Sequence, residues 1–519
     1  MTRGGALLRE HYHGAEWQEP IIMELGRPGE RGVVPPAVEP ELEAERTDAL
    51  AAIPEGLRRD TLPGLPELSQ PQVLRHYIRL TQETLGTDVN IDLGLGTCTM
   101  KYSPKINEVI ARSPKVSALH PLQDEETLQG ILEVVWRFSE ILIEISGMDC
   151  FSFQPGGGAA AIFANASIIR AYHERQGEAE QRNEIITTAF SHPADAATPA
   201  TAGFRVITLY PEENGYPGLG ALRAALSDRT AGMMATNPED TGIFNPLIRE
   251  FTDAVHAAGG ICSIDQANAN GLLGIVRARD LGFDLCHFNL HKTFGSPHGS
   301  EGPGCGALGA RADFRDFLPV PMVDFDGVKF RLEHDLPHSI GRVRSFLGNL
   351  QVVLRAYAWA MSMGPDGLRT VAETAVLNNN YLAHKLARIR GVTIPYAPGK
   401  YRLQEVRYSW EDLERVTGVT TDDIARRIVD YGVNNYFTSH SPMIVPQPFT
   451  LEPTESYSKD ELDEYAEILE RVSSEAYSTP DLVKGAPHRS SVAKIDDAVL
   501  HDPQQVVTTW RAWVRRGNG

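Results

Sequence analysis

A lysine and an aspartate each stand at the end of an apolar, strand-like segment of this 519-residue chain. Lys292 follows the run LCHFNL and precedes a glycine- and proline-rich loop, and Asp265 closes the run GICSID. A lysine at a buried strand end can be a salt-bridged or snorkelling side chain, or an amine activated by desolvation to form a Schiff base. The aspartate can cap a loop, or its carboxylate can hold a protonated pyridine nitrogen.

A glycine-rich loop and a histidine follow two further strand-like segments. In QPGGGAAA (154–161), Gly157, Gly158 and Ala159 open an alanine-rich helix, whose free N–H groups can bind a phosphate, although glycine-rich turns are common. His192 can lie flat on an aromatic cofactor or be an ordinary core histidine. Phosphate loop, histidine, aspartate and lysine occur in that order, and this joint pattern describes pyridoxal 5'-phosphate in a fold-type-I, aspartate aminotransferase-like domain.

The segments that must position these side chains alternate between strands and helices. Apolar residues at helical spacing predict a buried helix over 127–145. This alternation predicts an α/β fold with a mainly parallel sheet covered on both faces, where ligands bind beyond the carboxyl ends of the strands. The predicted strands cover 150–153, 184–190, 204–210, 232–236, 260–265 and 285–290.

Changes in composition along the chain predict three regions. Residues 1–85 mix proline, glycine and acidic residues and are predicted to form an extended N-terminal arm. Residues 86–335 carry the chemistry and form the large cofactor-binding domain. Residues 336–519 form a smaller α+β C-terminal domain and tail.

Composition excludes several classes of protein. The formal charge is −19, from 49 basic and 68 acidic residues, and without a basic block we expect no nucleic-acid partner. No apolar run is long enough to span a membrane, and we expect no membrane association. The five cysteines are widely spaced without a CxxC pair, and the N-terminus lacks a secretory pattern, so we expect a cytoplasmic protein. No third ligand is spaced to join His291 and His298, and we expect no metal site.

Segments that match one known family are spread along nearly the whole chain. They are ELGRPGERG, LGTCTMKYSPKINE, HPLQDEETLQG, QPGGGAA, DQANANGLLG, NLHKTFGSPHG, SIGRVRSFLGN and LEPTES. On these segments the chain resembles the glycine dehydrogenase (decarboxylating) subunit 2 family, the P-protein of the glycine cleavage system. The resemblance implies pyridoxal phosphate, the aminotransferase-like fold and Lys292 as the Schiff-base lysine. It also implies loss of carbon dioxide from glycine and transfer of the aminomethyl group to a lipoyl carrier protein.

The residues expected around the substrate depart from the family pattern at three places. Ala194 and Asp195 stand where the family has threonine and asparagine, and GAAAI replaces GAHGE after the glycine loop. Ser300 and Glu301 interrupt a glycine turn after the lysine. Asp195, Ser300 and Glu301 are therefore candidate substrate contacts, and Arg342 is a candidate clamp for a substrate carboxylate or a partner in an interdomain ion pair.

Three functional hypotheses follow. The first is a divergent, stand-alone enzyme that generates a quinonoid carbanion from an amino acid and makes or breaks carbon bonds in a specialised biosynthetic pathway, including elimination or replacement on S-adenosylmethionine. The second is an authentic glycine dehydrogenase subunit 2, which needs a subunit 1 partner and a lipoyl carrier. The third is a non-catalytic partner subunit, which would not need Lys292 and Asp265.

Assembly and one motif residue complete the expectations. We expect a homodimer, because the arm has too few core residues to fold by itself and fold-type-I sites are generally built across a dimer. The role of Cys98, in the segment LGTCTMKYSPKINE, stays open.

Overall fold

A seven-stranded sheet, which carries the strand ends discussed above, is the central element of the fold. Its strand order is β1-β7-β6-β5-β4-β2-β3, and every adjacent pair is parallel except the two pairs of β7, which runs antiparallel to β1 and β6. The expected mainly parallel sheet is thus confirmed. The strands are β1 (Cys150–Ser152), β2 (Glu184–Thr188), β3 (Arg205–Leu209), β4 (Thr230–Thr236), β5 (Ile261–Asp265), β6 (Leu285–Asn289) and β7 (Gly306–Ala310).

The computed structural model divides the chain into two compact units. The larger unit comprises Met1–Leu8, Ile91–Ile428 and Val433–Lys484, and the smaller one comprises Arg9–Asn90, Val429–Gly432 and Gly485–Gly519. The predicted boundaries at residues 85 and 335 stay a prediction. The residues that the structure describes are 8–9, 15–59, 64–84, 86, 90–91, 93–96, 101–297, 304–433, 436–440, 443–491, 493–495, 497–502 and 514–515.

Both faces of the sheet are covered by hydrophobic side chains. Neighbouring strand residues alternate between the two clusters: Ile186 and Met233 belong to one, and Ile185 and Met234 to the other. The first cluster includes Phe138 from the helix predicted over 127–145, which the structure has at Gln129–Ser146. Burial on both sides explains why the strands read as continuous apolar runs rather than as alternating ones.

Helices of the larger unit flank the sheet and continue into the C-terminal part of the chain, and other helices belong to the smaller unit. The longest, α10, has a kink at Gly364, where φ is 64° and Pro365 follows. The helices are α1 (Pro40–Ala51), α2 (Gln70–Glu83), α3 (Lys105–Ala111), α4 (Pro114–Ser117), α5 (Gln129–Ser146), α6 (Gly158–Gln176), α7 (Ala194–Thr201), α8 (Leu219–Ala225), α9 (Ile248–Ala257), α10 (Leu350–Leu386), α11 (Glu411–Thr417), α12 (Thr421–Val429), α13 (Lys459–Ser478), α14 (Pro480–Lys484) and α15 (Asp497–Leu500).

Two small antiparallel pairs complete the strands. The first pairs β8 (Met322–Phe325) with β9 (Phe330–Glu333), and the second pairs β10 (Val406–Ser409) with β11 (Pro448–Leu451). A search of the described residues finds no helix long and apolar enough to cross a membrane.

The smaller unit includes most of the segment predicted to be an extended arm, and the structure has two helices there. One of them, α2, begins at a capping box in which the Ser69 and Gln72 side chains satisfy each other's backbone donors. Nδ1 of the buried His76 lies 2.9 Å from Oε1 of Glu19, in the same unit. The role of this segment as an arm stays a prediction.

The core around Phe138 provides a test of the packing. The ring is fully buried, stacks on Phe153 at 5.6 Å between ring centroids and meets Phe294 edge-on at 5.8 Å. We expect Phe138→Ala to lower the free energy of unfolding by about 3–5 kcal/mol, because a large buried ring leaves a cavity. Leu377→Ala, at an exposed position of α10, should change it by less than about 0.5 kcal/mol. Thermal unfolding followed by circular dichroism measures both, and equal shifts would contradict the packing.

Candidate active site

The side chains singled out in the sequence meet at the carboxyl edge of the sheet. Asp265 is the last residue of β5, and its register partner on β6 is His287. The chain turns directly after β6, where the Lys292 N–H donates to the Asn289 carbonyl at 3.0 Å. Lys292 is 6% exposed and Asp265 is 5% exposed. The parallel strands thus place a buried amine and a buried carboxylate at one edge.

Asp265 is held as a buried anion. Burial by itself would raise the pKa of this carboxyl, but His287, His192 and the N–H of Ala267 lower it below its usual range. The Ala267 N–H donates to Oδ1 at 2.7 Å, and Nε2 of His287 lies 3.2 Å from the same oxygen. A carboxylate that stays ionised in a desolvated place is suited to hold a cation such as a protonated ring nitrogen.

The glycine loop is tightly packed on one side and open on the other. A Cβ at Gly158 would lie 2.8 Å from the Asn289 amide nitrogen, and one at Gly306 would lie 2.6 Å from the Gly157 carbonyl oxygen. At Gly157 the nearest atom to a Cβ would be Cε1 of His291, at 4.0 Å. The loop therefore needs small residues where it packs, and it leaves space beside Gly157, next to the lysine turn.

The same loop is the start of a long helix. Gly158 is the first of 19 residues of α6, Ala159 is the second, and Gly157 precedes them in an extended conformation. Unpaired N–H groups at a helix N-terminus bind phosphate groups well. The guanidinium of Arg344 lies over Gly156, since Nη1 would be 2.0 Å from a Cβ there, and it adds positive charge to this end of the site.

His192 follows β2 as a neutral ring. Burial lowers its pKa to about 4, and the adjacent Lys292 and His440 act in the same direction. Its Nδ1 accepts the N–H of Ala194 at 3.1 Å, which leaves the proton on Nε2. Its own N–H donates to Oγ1 of Thr236, at the end of β4, at 3.2 Å. An uncharged, fixed ring of this kind can cover the face of an aromatic cofactor.

These residues fit pyridoxal phosphate. The phosphate would bind at the N-terminus of α6, the ring nitrogen would face Asp265, and the aldehyde carbon would be held by Lys292. His192 would cover one face of the ring. The orphaned amide oxygen of Asn289, which is buried without a hydrogen-bond partner in the described part of the chain, lies beside the loop and supports the presence of a bound group.

An ion-paired group from a distant part of the chain borders His192. His440 lies with its ring centroid 4.7 Å from that of His192, and its Nδ1 is 3.0 Å from Oδ2 of Asp240. The same oxygen accepts from Nη2 of Arg407 at 2.6 Å. Although burial would raise the pKa of Asp240, Arg407 and His440 hold it below its usual range. The buried pair fixes the position of His440 against His192.

Of the predicted substrate contacts, the structure describes Asp195 and Arg342. Asp195 is buried, accepts from Oγ1 of Thr236 at 3.0 Å, and has its pKa raised well above the usual value by burial. Arg342 is exposed and lines a cavity of about 430 Å³ with His120 and His334. Their roles as substrate contacts stay predictions. Ser300, Glu301 and Cys98 lie outside the described residues.

Sequence reasoning missed several residues of the site. His287 was hidden inside a strand run, and only the strand register places it beside Asp265. Lys101 and Glu452 lie in motifs noted above, LGTCTMKYSPKINE and LEPTES, but they are distant in sequence from Lys292. The one usable signal was charge, because an ionisable side chain is costly to bury without a partner.

One group in the described residues has the composition of a metal site: His256, Cys262 and Asp284. Hydrogen bonds account for it. Asp284 accepts from Nε2 of His256 at 2.8 Å, from the Cys262 N–H at 2.8 Å and from Nη1 of Arg311 at 2.9 Å. Burial also raises the pKa of the Cys262 thiol well above its usual value, which disfavours the thiolate that a metal needs.

The fold and this site define a fold-type-I enzyme of the aminotransferase class V type. Residues 156–321 match the family described as "Aminotransferase class-V". A solved glycine decarboxylase (P-protein) of the glycine cleavage system matches with a TM-score of 0.68 and 19% identity, over 85% of this chain and 99% of that one. The cysteine desulfurase CsdA from Escherichia coli matches with a TM-score of 0.55 and 15% identity, over 73% and 93% of the two chains.

The chain belongs to the glycine dehydrogenase (decarboxylating) subunit 2 family. It is 45% identical over 504 residues to the "Probable glycine dehydrogenase (decarboxylating) subunit 2" of Pyrococcus abyssi, covering 97% of this chain and 98% of that protein. The protein with the same name from Caldanaerobacter subterraneus is 41% identical over 480 residues, or 92% and 96% of the two chains. Residues 371–489 match the family described as "Glycine dehydrogenase, C-terminal domain".

These comparisons confirm the resemblance, the fold class and the cofactor, and the chain is a pyridoxal phosphate-dependent enzyme. They do not support the hypothesis of a specialised pathway with a substrate such as S-adenosylmethionine. Identity of 45% over nearly the full length favours the alternative, a glycine dehydrogenase subunit 2-like enzyme. The departures at Asp195 and the glycine turn are therefore weaker signals of substrate than the sequence suggested.

Asp265 provides a direct test of the cofactor site. Asp265→Asn removes the charge that holds the ring nitrogen protonated, and we expect turnover to fall by at least about a hundredfold, the typical effect of removing one preorganised charge. Cofactor should still bind, because Lys292 and the glycine loop are intact. Asp284→Asn, which alters a buried aspartate at the amino end of β6, is the matched control and should leave the visible spectrum unchanged. Unchanged turnover in Asp265→Asn would rule out the assigned role.

His192 allows a second test, of ring contact rather than charge. We expect His192→Ala to weaken cofactor binding by about 0.5–1.5 kcal/mol beyond the loss of area, and His192→Phe to restore most of it. The His192 ring has a pKa of about 4 and is therefore neutral at higher pH. The difference in cofactor affinity between the wild type and His192→Ala should thus not vary between about pH 5 and 8. Equilibrium dialysis of the cofactor measures it, and equal weakening by both variants would contradict a stacking role.

Proposed function

We propose that the chain is the cofactor-bearing subunit of a glycine decarboxylase, which acts with a subunit 1 partner and passes an aminomethyl group to a lipoyl carrier protein. The supporting observation is that Lys292, Asp265, His192 and the glycine loop are brought to one sheet edge in a chain of this family. The buried Lys292 and Asp265 disfavour a non-catalytic partner subunit, since a silent chain has no need to bury them.

Each residue has a defined part in the proposed reaction. Pyridoxal phosphate, when bound, supplies an electron sink for the pair left on Cα as the substrate carboxylate leaves as carbon dioxide. Asp265 keeps the proton on the ring nitrogen, and the N-terminus of α6 holds the phosphate. His192 excludes water from one face of the ring. Nζ of Lys292 is placed to hold or return a proton at Cα.

Assembly and substrate contacts belong to the same proposal. We infer a homodimer of this chain, in which the family's fold generally completes its site, together with the subunit 1 partner. Asp195, Arg342, Ser300 and Glu301 remain proposed substrate contacts. For glycine, which offers only an ammonium and a carboxylate group, Arg342 would need to approach from the partner subunit or after closure, because it is exposed in the isolated chain.

Exchange of labelled carbon dioxide tests the function. With glycine, subunit 1 and lipoylated carrier protein present, we expect this chain to exchange the glycine carboxyl carbon with labelled bicarbonate. Lys292→Ala should abolish the exchange and the visible band of the bound cofactor, because it removes the amine proposed to hold the aldehyde carbon. Exchange should also need the lipoyl group for full rate. No exchange with glycine under any combination of partners would overturn the proposal.

A further inference from the structure

Glu452 is a buried carboxyl beside the lysine turn that the reaction described above does not use. It follows β11 directly and is fully buried. Its Oε1 accepts hydrogen bonds from the amide nitrogens of Asn268 and Asn270, the latter at 2.9 Å. Its Oε2 is also buried, and it has no hydrogen-bond partner within the described ranges. One oxygen is thus anchored, and the other, which lacks a hydrogen-bond partner among the described residues, is open to a bound group.

The asparagines that anchor Glu452 also link it to the catalytic turn. They lie in the loop that begins at Asp265, and the N–H of Ala269, between them, donates to Oγ1 of Thr293 at 2.8 Å. Thr293 follows Lys292 in the chain. The loop therefore follows Asp265 directly and is hydrogen-bonded to the residue after Lys292, and the asparagines on either side of that contact donate to Glu452.

Charges around Glu452 place it in the field of two lysines. Lys292 and Lys101 both favour its ionised form, whereas burial, the largest effect, raises its pKa to about 7. Lys101 forms a 2.9 Å ion pair with Oε1 of Glu455 and lies 4.8 Å from the ring centroid of Trp359. Glu405 is the further carboxyl that interacts with Glu452, and burial raises its pKa well above the usual value. A carboxyl of this kind can take up and release a proton near neutral pH.

We propose that Glu452 is a further catalytic residue, which takes a proton from the ammonium group of the incoming amino acid and delivers it to Nζ of Lys292. The inference rests on the proposed function only in that the substrate enters as an amine. An N–H bond of the substrate breaks and an O–H bond forms on Oε2 of Glu452. That O–H bond then breaks as an N–H bond forms on Nζ of Lys292, whose bond to the aldehyde carbon of the cofactor would pass to the substrate nitrogen. No oxidant or other reactant is needed.

A purely structural role for Glu452 makes a different prediction. If the side chain served only to accept the amide protons of Asn268 and Asn270, glutamine would replace it well, because its carbonyl oxygen can accept the same bonds. Aspartate would be worse, because it is shorter. Proton transfer reverses this order, since aspartate keeps a carboxyl group and glutamine does not.

The test measures how fast the visible band of the holo-protein changes on mixing with glycine and, in parallel, with ethylamine. In the wild-type chain we expect the second-order rate to level off above about pH 7, once Glu452 is ionised. In Glu452→Gln we expect a rate roughly a hundredfold lower at pH 7, which rises about tenfold per pH unit as free amine replaces ammonium. Cofactor affinity, measured by equilibrium dialysis, should be unchanged.

Three further variants separate the causes. Glu452→Asp should be faster than Glu452→Gln. Asn270→Ser leaves the carboxyl in place and removes one hydrogen-bond donor to it, so the pKa of Glu452 should rise. The pH above which the rate levels off should then move upward. This variant tests the role of Glu452 even if both Glu452 variants fail to fold. Glu184→Gln is the matched control, because Glu184 is buried at the amino end of β2, where it pairs with Arg229, and its pH profile should be that of the wild type.

The outcomes are distinct. A wild-type pH profile in Glu452→Gln, a faster reaction of Glu452→Gln than of Glu452→Asp, or an unmoved limb in Asn270→Ser would overturn the role of Glu452. A wild-type chain that responds to ethylamine but neither responds to glycine nor exchanges carbon dioxide would overturn the proposed function and leave the test of Glu452 standing, because ethylamine has no carboxylate to lose.

Discussion

An ionised carboxylate buried at the edge of a sheet is the feature on which the rest of this site depends. Removing a charge from water is unfavourable by several kcal/mol unless partners replace the lost solvation, and Asp265 is 5% exposed. The Ala267 N–H, His287 and the positive charge of Lys292 supply those partners from one loop and two strands. In the proposed site a protonated ring nitrogen would complete the set, which would couple binding of the cofactor to the stability of this edge.

Close packing around the glycine loop follows from the same need to bring backbone near to a ligand. Gly158 fits against Asn289, and Gly306 fits against the Gly157 carbonyl, at distances that leave no room for a Cβ. The antiparallel strand β7, which begins at Gly306, thereby holds the loop against the turn that bears Lys292. Packing requires small residues at Gly158 and Gly306, whereas the space beside Gly157 is open to a ligand.

The C-terminal part of the chain supplies ionisable side chains to the carboxyl edge of the sheet, which is formed by strands that come earlier in the chain. His440 and Arg407 converge on Asp240, and Glu452 accepts hydrogen bonds from the loop after β5, so three ionisable groups reach the site from segments more than a hundred residues away. The sheet positions the groups proposed to bind the cofactor. The C-terminal segments provide the group proposed to transfer protons and the groups that hold His440 against His192. Changes in the substrate shell can therefore accumulate while the cofactor groups stay in place.

The sequence by itself determined six strands of the sheet and the helix at Gln129–Ser146, because continuous apolar runs and helical spacing are local patterns. It also predicted four cofactor positions, because polar residues directly after such runs are a local pattern too. Strand β7 escaped it, since GALGA has no β-branched residue and Gly309 packs against the ring of Phe151. Only the tertiary structure placed His287 beside Asp265 and Glu452 beside the lysine turn. Strand register and long-range packing bring these residues together, and no local sequence pattern relates positions so far apart in the chain.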